Sequence, residues 1–136
     1  MNQIRDLWSE NSKTEVRNKV YLFDHSNRTL MGGFPVYIGE EDENGDPIPD
    51  SLTELSPVAS QALIDHSPDG FNWGYGGSGS AQCALGILLD ATGDSNIAMR
   101  WYQRFKEEVI AHIPTDKKIQ MSLTKVKEWL EDKQSK

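Results

Sequence analysis

One stretch, Phe71-Asn-Trp-Gly-Tyr-Gly-Gly-Ser-Gly-Ser80, limits the folds open to this chain more than any other, because it runs without a break into the apolar segment Ala81-Gln-Cys-Ala-Leu-Gly-Ile-Leu-Leu-Asp-Ala91. Five of the eleven glycines lie between Gly70 and Gly79. Glycine loses the most backbone freedom on folding and gives no side chain to the core, so such a cluster marks special dihedral angles or a close approach of backbone to something else. That something is either a ligand or the protein's own interior. In the segment that follows, Ala81, Ala84, Leu85 and Leu88 share one helical face and Cys83 and Ile87 lie beside it. A helix apolar nearly all round is a buried one, so this is expected to be the central helix. Ser78 or Ser80 is placed to cap its start, and Thr92-Gly93 to end it with a left-handed glycine.

The rest of the chain arranges itself on either side of this point. Residues 1–18 form an amino-terminal extension in which Ile4, Leu7 and Trp8 make an apolar stripe if the segment is helical. Lys19-Val-Tyr-Leu-Phe23 has the β-branched and aromatic content of a strand, Asp24-His-Ser-Asn27 follows with turn formers, and Thr29 to Ile38 resumes an extended pattern. A hairpin is the natural reading, with Gly32-Gly33 as a bulge or second bend and Pro35 at a strand edge. From Glu40 to Pro57 the composition shifts to acids and prolines around Asn44-Gly45, a loop or second hairpin tip. Ser60 to Ile64 is a short apolar stretch. After the central segment, a helix is expected to begin at Asp94 or Ser95 and run to about His112, with Ala98, Trp101, Phe105, Val109 and His112 or Ile113 as its core stripe. Pro114 stops it. Ile119 to Met121 adds a short strand, and Ser122 caps a last helix carrying Leu123, Val126, Trp129 and Leu130. The sum is an α+β class: a single domain over residues 19–133, with a small, mostly antiparallel sheet from the N-terminal half packed on about three helices from the C-terminal half.

Charge narrows the function. The net charge is −7, yet between Arg28 and Arg100 there is no Lys or Arg at all, while eleven acids fall in that interval. A field of this sign repels phosphate backbones, which argues against direct binding of nucleic acid. No apolar run approaches the roughly 20 residues of a membrane span, and no apolar signal core stands at the amino terminus, so a cytoplasmic protein without membrane contact is expected. The lone Cys83 has no disulfide partner and reads as a small hydrophobe.

The run His66-Ser-Pro-Asp-Gly-Phe-Asn-Trp-Gly-Tyr-Gly-Gly-Ser-Gly-Ser-Ala-Gln-Cys-Ala-Leu-Gly-Ile-Leu-Leu-Asp90, followed by Trp101-Tyr-Gln-Arg-Phe-Lys106 and Val109-Ile-Ala111, resembles the domain of unknown function 6166 family. The resemblance covers roughly residues 19 to 131. It implies a small protein of the kind encoded by phages, plasmids and bacterial chromosomes, with a shared fold and no activity to carry over. Two positions depart from the family pattern: Ser80 stands where proline is usual, and Cys83 where leucine is usual. Both substitutions keep a helix start and an apolar face.

Three chemistries compete for the candidate sites. His66, Trp73, Tyr75, Gly76, Gly77, Ser78 and Gly79 fit a small-ligand site, in which helix N-terminal N–H groups meet an anion and the aromatics stack on a base or sugar. The spacing matches neither the phosphate-loop nor the dinucleotide fingerprint, and the competing reading is a tight turn packed under two aromatics. Asp-His-Ser occurs at Asp24 to Ser26 and at Asp65 to Ser67, and Ser78 with His66 makes a composite pair for hydrolysis; sequence neighbours do not by themselves make a triad, whose members are defined by their spatial roles. The acids Glu40, Glu41, Asp42, Glu43 and Asp46 suit a protein with a basic surface. Gly45 also stands where a calcium loop has its glycine, but Ser51 falls where that loop needs glutamate. With three scattered histidines and no cofactor box, neither metal nor cofactor is expected. A non-enzymatic acidic binding or modulator protein acting on a host protein is the leading expectation, and an anion, nucleotide or hydrolytic site at the glycine loop is the alternative.

Overall fold

The computed structural model describes residues 18–135. The Ile4, Leu7 and Trp8 stripe lies outside the described residues. β1 (Lys19–Phe23) and β2 (Val36–Glu40) pair antiparallel, Lys19 facing Glu40 and Phe23 facing Val36. The short β3 (Thr53–Glu54) lies outside β2, and β4 (Ile119–Ser122) pairs antiparallel with the other side of β1, giving the order β3-β2-β1-β4. The expected α+β arrangement is therefore present, with one strand of the sheet supplied from late in the chain.

The hairpin is wide. Residues 24–35 connect β1 to β2, and Gly32 makes the bend with φ +110°. Gly33 is a contact point instead of a bulge: a Cβ there would stand 2.6 Å from the Asp69 carbonyl oxygen. Backbone bonds from Gly33 N–H to Asp69 and from Phe34 N–H to Phe71 zip this connection to the glycine loop.

α2 (Ser78–Thr92) is the centre of the molecule, and every residue from Gly79 to Leu88 is buried. Full burial of an aliphatic side chain contributes roughly 1.5–3 kcal/mol, so Leu85, Ile87 and Leu88 each help to hold the layers together. Gly93 ends α2 in the left-handed conformation at φ +66°, as expected. The start differs from expectation. Gly77 is the N-cap and makes no side-chain cap bond, because the helix begins early enough to leave Ser78 and Ser80 inside its first turn.

α3 (Ser95–Glu108) packs on α2, and Asp94 caps it by accepting the Asn96 and Ile97 N–H groups. Its buried stripe is Ala98, Tyr102 and Phe105, with Trp101 only half-buried. The helix stops at Glu108 because Val109 leaves helical geometry at φ −124° and ψ −64°, and a 3-10 turn, Ile110–His112, then buries Ile110 while His112 is exposed. α4 (Leu123–Gln134) starts directly after β4, capped by Ser122 as expected. The apolar stretch Ser60 to Ile64 contributes an unexpected helix, α1 (Val58–Leu63), too short for periodicity to reveal.

Tyr21 and Phe23 share one face of β1, and Val20 lies on the other, yet all three are fully buried. The second face is therefore covered as well. The acidic segment does this: its 3-10 turn Pro49–Ser51 and Leu52 fold back over β2, and a Cβ on Gly39 would meet Leu52 Cδ2 at 2.5 Å.

Candidate functional site

The glycine loop is a packed turn. Gly74, at φ +86°, donates its N–H to Ile110 and leaves no room for a Cβ beside Thr115. The Tyr75 ring lies across Gly77, and its hydroxyl reaches the Gly79 position, where a Cβ would also stand 2.7 Å from Asn72 Cβ. Gly76 has open space around it. The loop's close approaches are thus made by the protein itself.

Trp73, expected as a stacking surface, is 1 % exposed. Its ring meets Phe23 edge-on at 5.2 Å and His25 at 5.0 Å, while His25 stacks on Phe34 at 3.7 Å. Tyr75 is half-exposed and Ser78 is exposed. Asn72 orders this cluster: its Oδ1 accepts both the Trp73 N–H and His25 Nε2, so the His25 proton sits on Nε2. Among the described residues, the buried Trp73 Nε1 and Ser80 Oγ find no hydrogen-bond partner.

His66 goes elsewhere. Its Nε2 is 2.7 Å from the Tyr102 hydroxyl, and its backbone N–H donates to Gln82 Oε1 at 2.7 Å. Gln82, fully buried in α2, also accepts the Ser67 N–H and donates to Ser60 Oγ and the Ile64 carbonyl, so its amide is saturated. Neither Asp-His-Ser run forms a relay. In the first, the Ser26 hydroxyl donates directly to Asp24, bypassing His25, and these bonds hold the Asp24 carboxyl below its usual range. In the second, His66 turns to Tyr102, and no hydrogen bond joins it to Ser78. Gln82, Asn72 and Tyr102 were missing from the sequence-based site; a glutamine inside an otherwise apolar helical run was the one available signal. Burial pushes the Cys83 thiol up, which keeps it protonated and inert.

The acidic candidates form a separate surface. Asp42 builds the turn: its Oδ1 accepts the Asn44 and Asp46 N–H groups, its carbonyl accepts the Gly45 N–H, and Gly45 sits at φ +84°. Gln120 in β4 donates to the Gly45 carbonyl at 2.7 Å and anchors the turn beside that strand. Glu43 and Asp46 are exposed and Glu41 is partly exposed, while Glu40 lies at the exposed end of β2 and accepts the Ile48 N–H at its carbonyl. The turn brings Glu41 and Gly45 to a groove of about 630 Å³ whose apolar wall is Phe105, Val109, Met121 and Trp129. Glu108 fixes that wall: it pairs with Lys133 at 2.7 Å and Arg104 at 3.0 Å and accepts the Trp129 indole N–H at 3.1 Å. Lys133 first, then Arg104, hold its carboxyl at about 2.

Among the described residues no three His, Cys, Asp or Glu side chains gather as a metal site. Nor is any described helix long and apolar enough to cross a membrane. No curated protein and no solved structure matches the chain. The model of a family of unknown function, DUF6166, matches residues 37–132, from within β2 to near the end of α4, a span that holds both the glycine loop and the acidic turn. By that match, the chain belongs to the DUF6166 family.

Proposed function

We propose that this is a non-enzymatic binding protein, a modulator that engages a basic surface of a partner protein through the acidic turn Glu41 to Asp46. One observation carries the reading: the turn is built in advance by Asp42 and Gln120, and among the described residues no cation pairs with Glu41, Glu43 or Asp46. Carboxylates held in place lose little freedom on binding, and complementary charge gives fast, salt-sensitive association. The resemblance to small proteins carried by phages and plasmids favours a host protein as the partner and the cytoplasm as the setting.

The test uses immobilised full-length protein titrated with poly-lysine at low and high salt. Neutralising Glu41, Glu43 and Asp46 is expected to weaken binding at least about tenfold, and wild-type binding should fade as salt screens the charges. Neutralising Asp65, Asp69 and Asp116 changes the net charge equally and serves as the control. Equal losses in the two variants would reduce the effect to net charge and sink the reading.

A second reading, an anion or hydrolytic site at the entrance of α2, is favoured by the buried Ser80 hydroxyl, which has no partner among the described residues. Nucleotides or inorganic phosphate should then raise the melting temperature. No rise with any of them, and full stability of Ser80→Ala, would leave the loop a structural turn.

A further inference from the structure

We propose that the open edge of β4 is a strand-addition site for a partner segment in which basic and apolar residues alternate. This rests on the acidic-turn reading and gives it an address. β4 is the last strand of the sheet, paired with β1 on one side and with no described strand on the other. Gln120, Met121 and Ser122 all line one groove beside it. Successive side chains of a strand point to opposite faces, so a groove that touches three in a row runs along the edge of the strand and not over one face.

The two flanks of that edge differ in chemistry. Met121 pairs with Tyr21, whose hydroxyl reaches Asp90 of α2, so the Met121 flank is the helical one, and there Phe105, Val109 and Trp129 are apolar. Gln120 lies on the other flank and holds the acidic turn, with Glu41 in the groove and Glu43 and Asp46 beyond it. A strand added to β4 has the same period of two, so every second side chain meets the apolar wall and the others face the carboxylates. Main-chain bonds supply affinity, and the alternation supplies specificity. Lys125 also lines the groove at the start of α4, so the basic residues belong toward the turn. A second copy of this chain fits poorly, since it brings the same acidic turn and a net charge of −7 to the same edge.

Three synthetic peptides test this on the full chain: alternating Lys-Val, the same residues in two blocks, and alternating Glu-Val. The alternating basic peptide is expected to bind at least about tenfold tighter than the block peptide and to protect outward N–H groups of residues 119–122 from hydrogen exchange. Met121→Lys should weaken it about tenfold, and Lys125→Glu, an exposed change that leaves the core alone, should tighten it several-fold by adding opposite charge. Equal binding of the two basic peptides, both lost on neutralising Glu43 and Asp46, overturns strand addition and leaves the acidic-turn reading standing. No binding of either at low salt sinks both. No tightening by Lys125→Glu counts against the groove. A dimer in light scattering that Met121→Lys dissociates assigns the edge to a second copy, and displacement by a peptide of residues 1–17 assigns it to the chain's own amino terminus; either overturns the proposal.

Discussion

The side-chain carbonyl of Gln82 accepts the backbone N–H of His66 at 2.7 Å, and through this bond the central helix holds the segment that leads into the glycine loop. With Ser67, Ser60 and Ile64 as its other partners, Gln82 spends its whole hydrogen-bonding capacity inside the core. Gln82→Leu keeps the volume but removes the partner of two part-buried N–H donors, of the Ile64 carbonyl and of the Ser60 hydroxyl, which keeps only its bond to Pro57. It is expected to cost about 2–4 kcal/mol, read as a lower urea midpoint with an unchanged slope. A loss under about 1 kcal/mol would show that the surrounding loop re-pairs with water.

The glycines of the loop are not equivalent. Gly79→Ala drives a methyl to 2.7 Å from Asn72 Cβ and is expected to cost about 1–3 kcal/mol. Gly76→Ala meets nothing within 4 Å and needs no left-handed backbone, so its effect should stay within about 0.5 kcal/mol and can stabilise by restricting the unfolded chain. Thermal melts of the two variants decide the matter. Comparable losses would mean that Gly76 serves something besides packing.

Asp94 accepts two N–H groups at the start of α3, at 2.9 Å and 3.2 Å. Asp94→Ala is expected to cost about 1 kcal/mol in a denaturant titration. Asp94→Asn, which keeps the acceptor and drops the charge, should recover most of it, and failure to recover would point to the charge instead of the cap.

Glu108, together with Asp24, contributes to the acid limb of stability. The Glu108 carboxyl is held at about 2, against an ordinary value of 4.5. A depressed folded-state value means stability that is fully present above about 4.5 and is lost as the pH falls toward 2. Melting temperature should drop across that window, and Glu108→Gln should flatten the part of the drop that Glu108 causes. The same variant loosens the Trp129 indole, so its fluorescence in wild type should shift over the same pH range. Identical pH profiles for the two proteins would place the acid limb elsewhere.

Much of the fold was legible because local rules and tertiary needs agree. The all-apolar run from Ala81 predicted the buried helix, Gly93 its end, Asp94 or Ser95 the start of the next helix, Ser122 the cap of the last one, and Lys19 to Phe23 a strand. Where the two disagreed, local reading failed. Trp101 and Tyr102 are adjacent, and a one-residue rotation of the stripe put the smaller aromatic inside, where its hydroxyl meets His66. α1 spans six residues, fewer than two turns, and its buried residue, Ser60, bonds Gln82 of a helix distant in the chain.

By itself the sequence determined where the backbone must bend, which segment is central and that the middle of the chain is acidic, since dihedral freedom, hydrophobic period and charge belong to residues one at a time. Only the tertiary structure decided what those features serve. It filled the glycine loop with Tyr75 and Asn72, buried Trp73 among Phe23, His25 and Phe34, and set the acidic turn beside β4 through the bond from Gln120 to Gly45. Those residues are far apart in the chain, and no local preference encodes which of them will meet once packing brings them together.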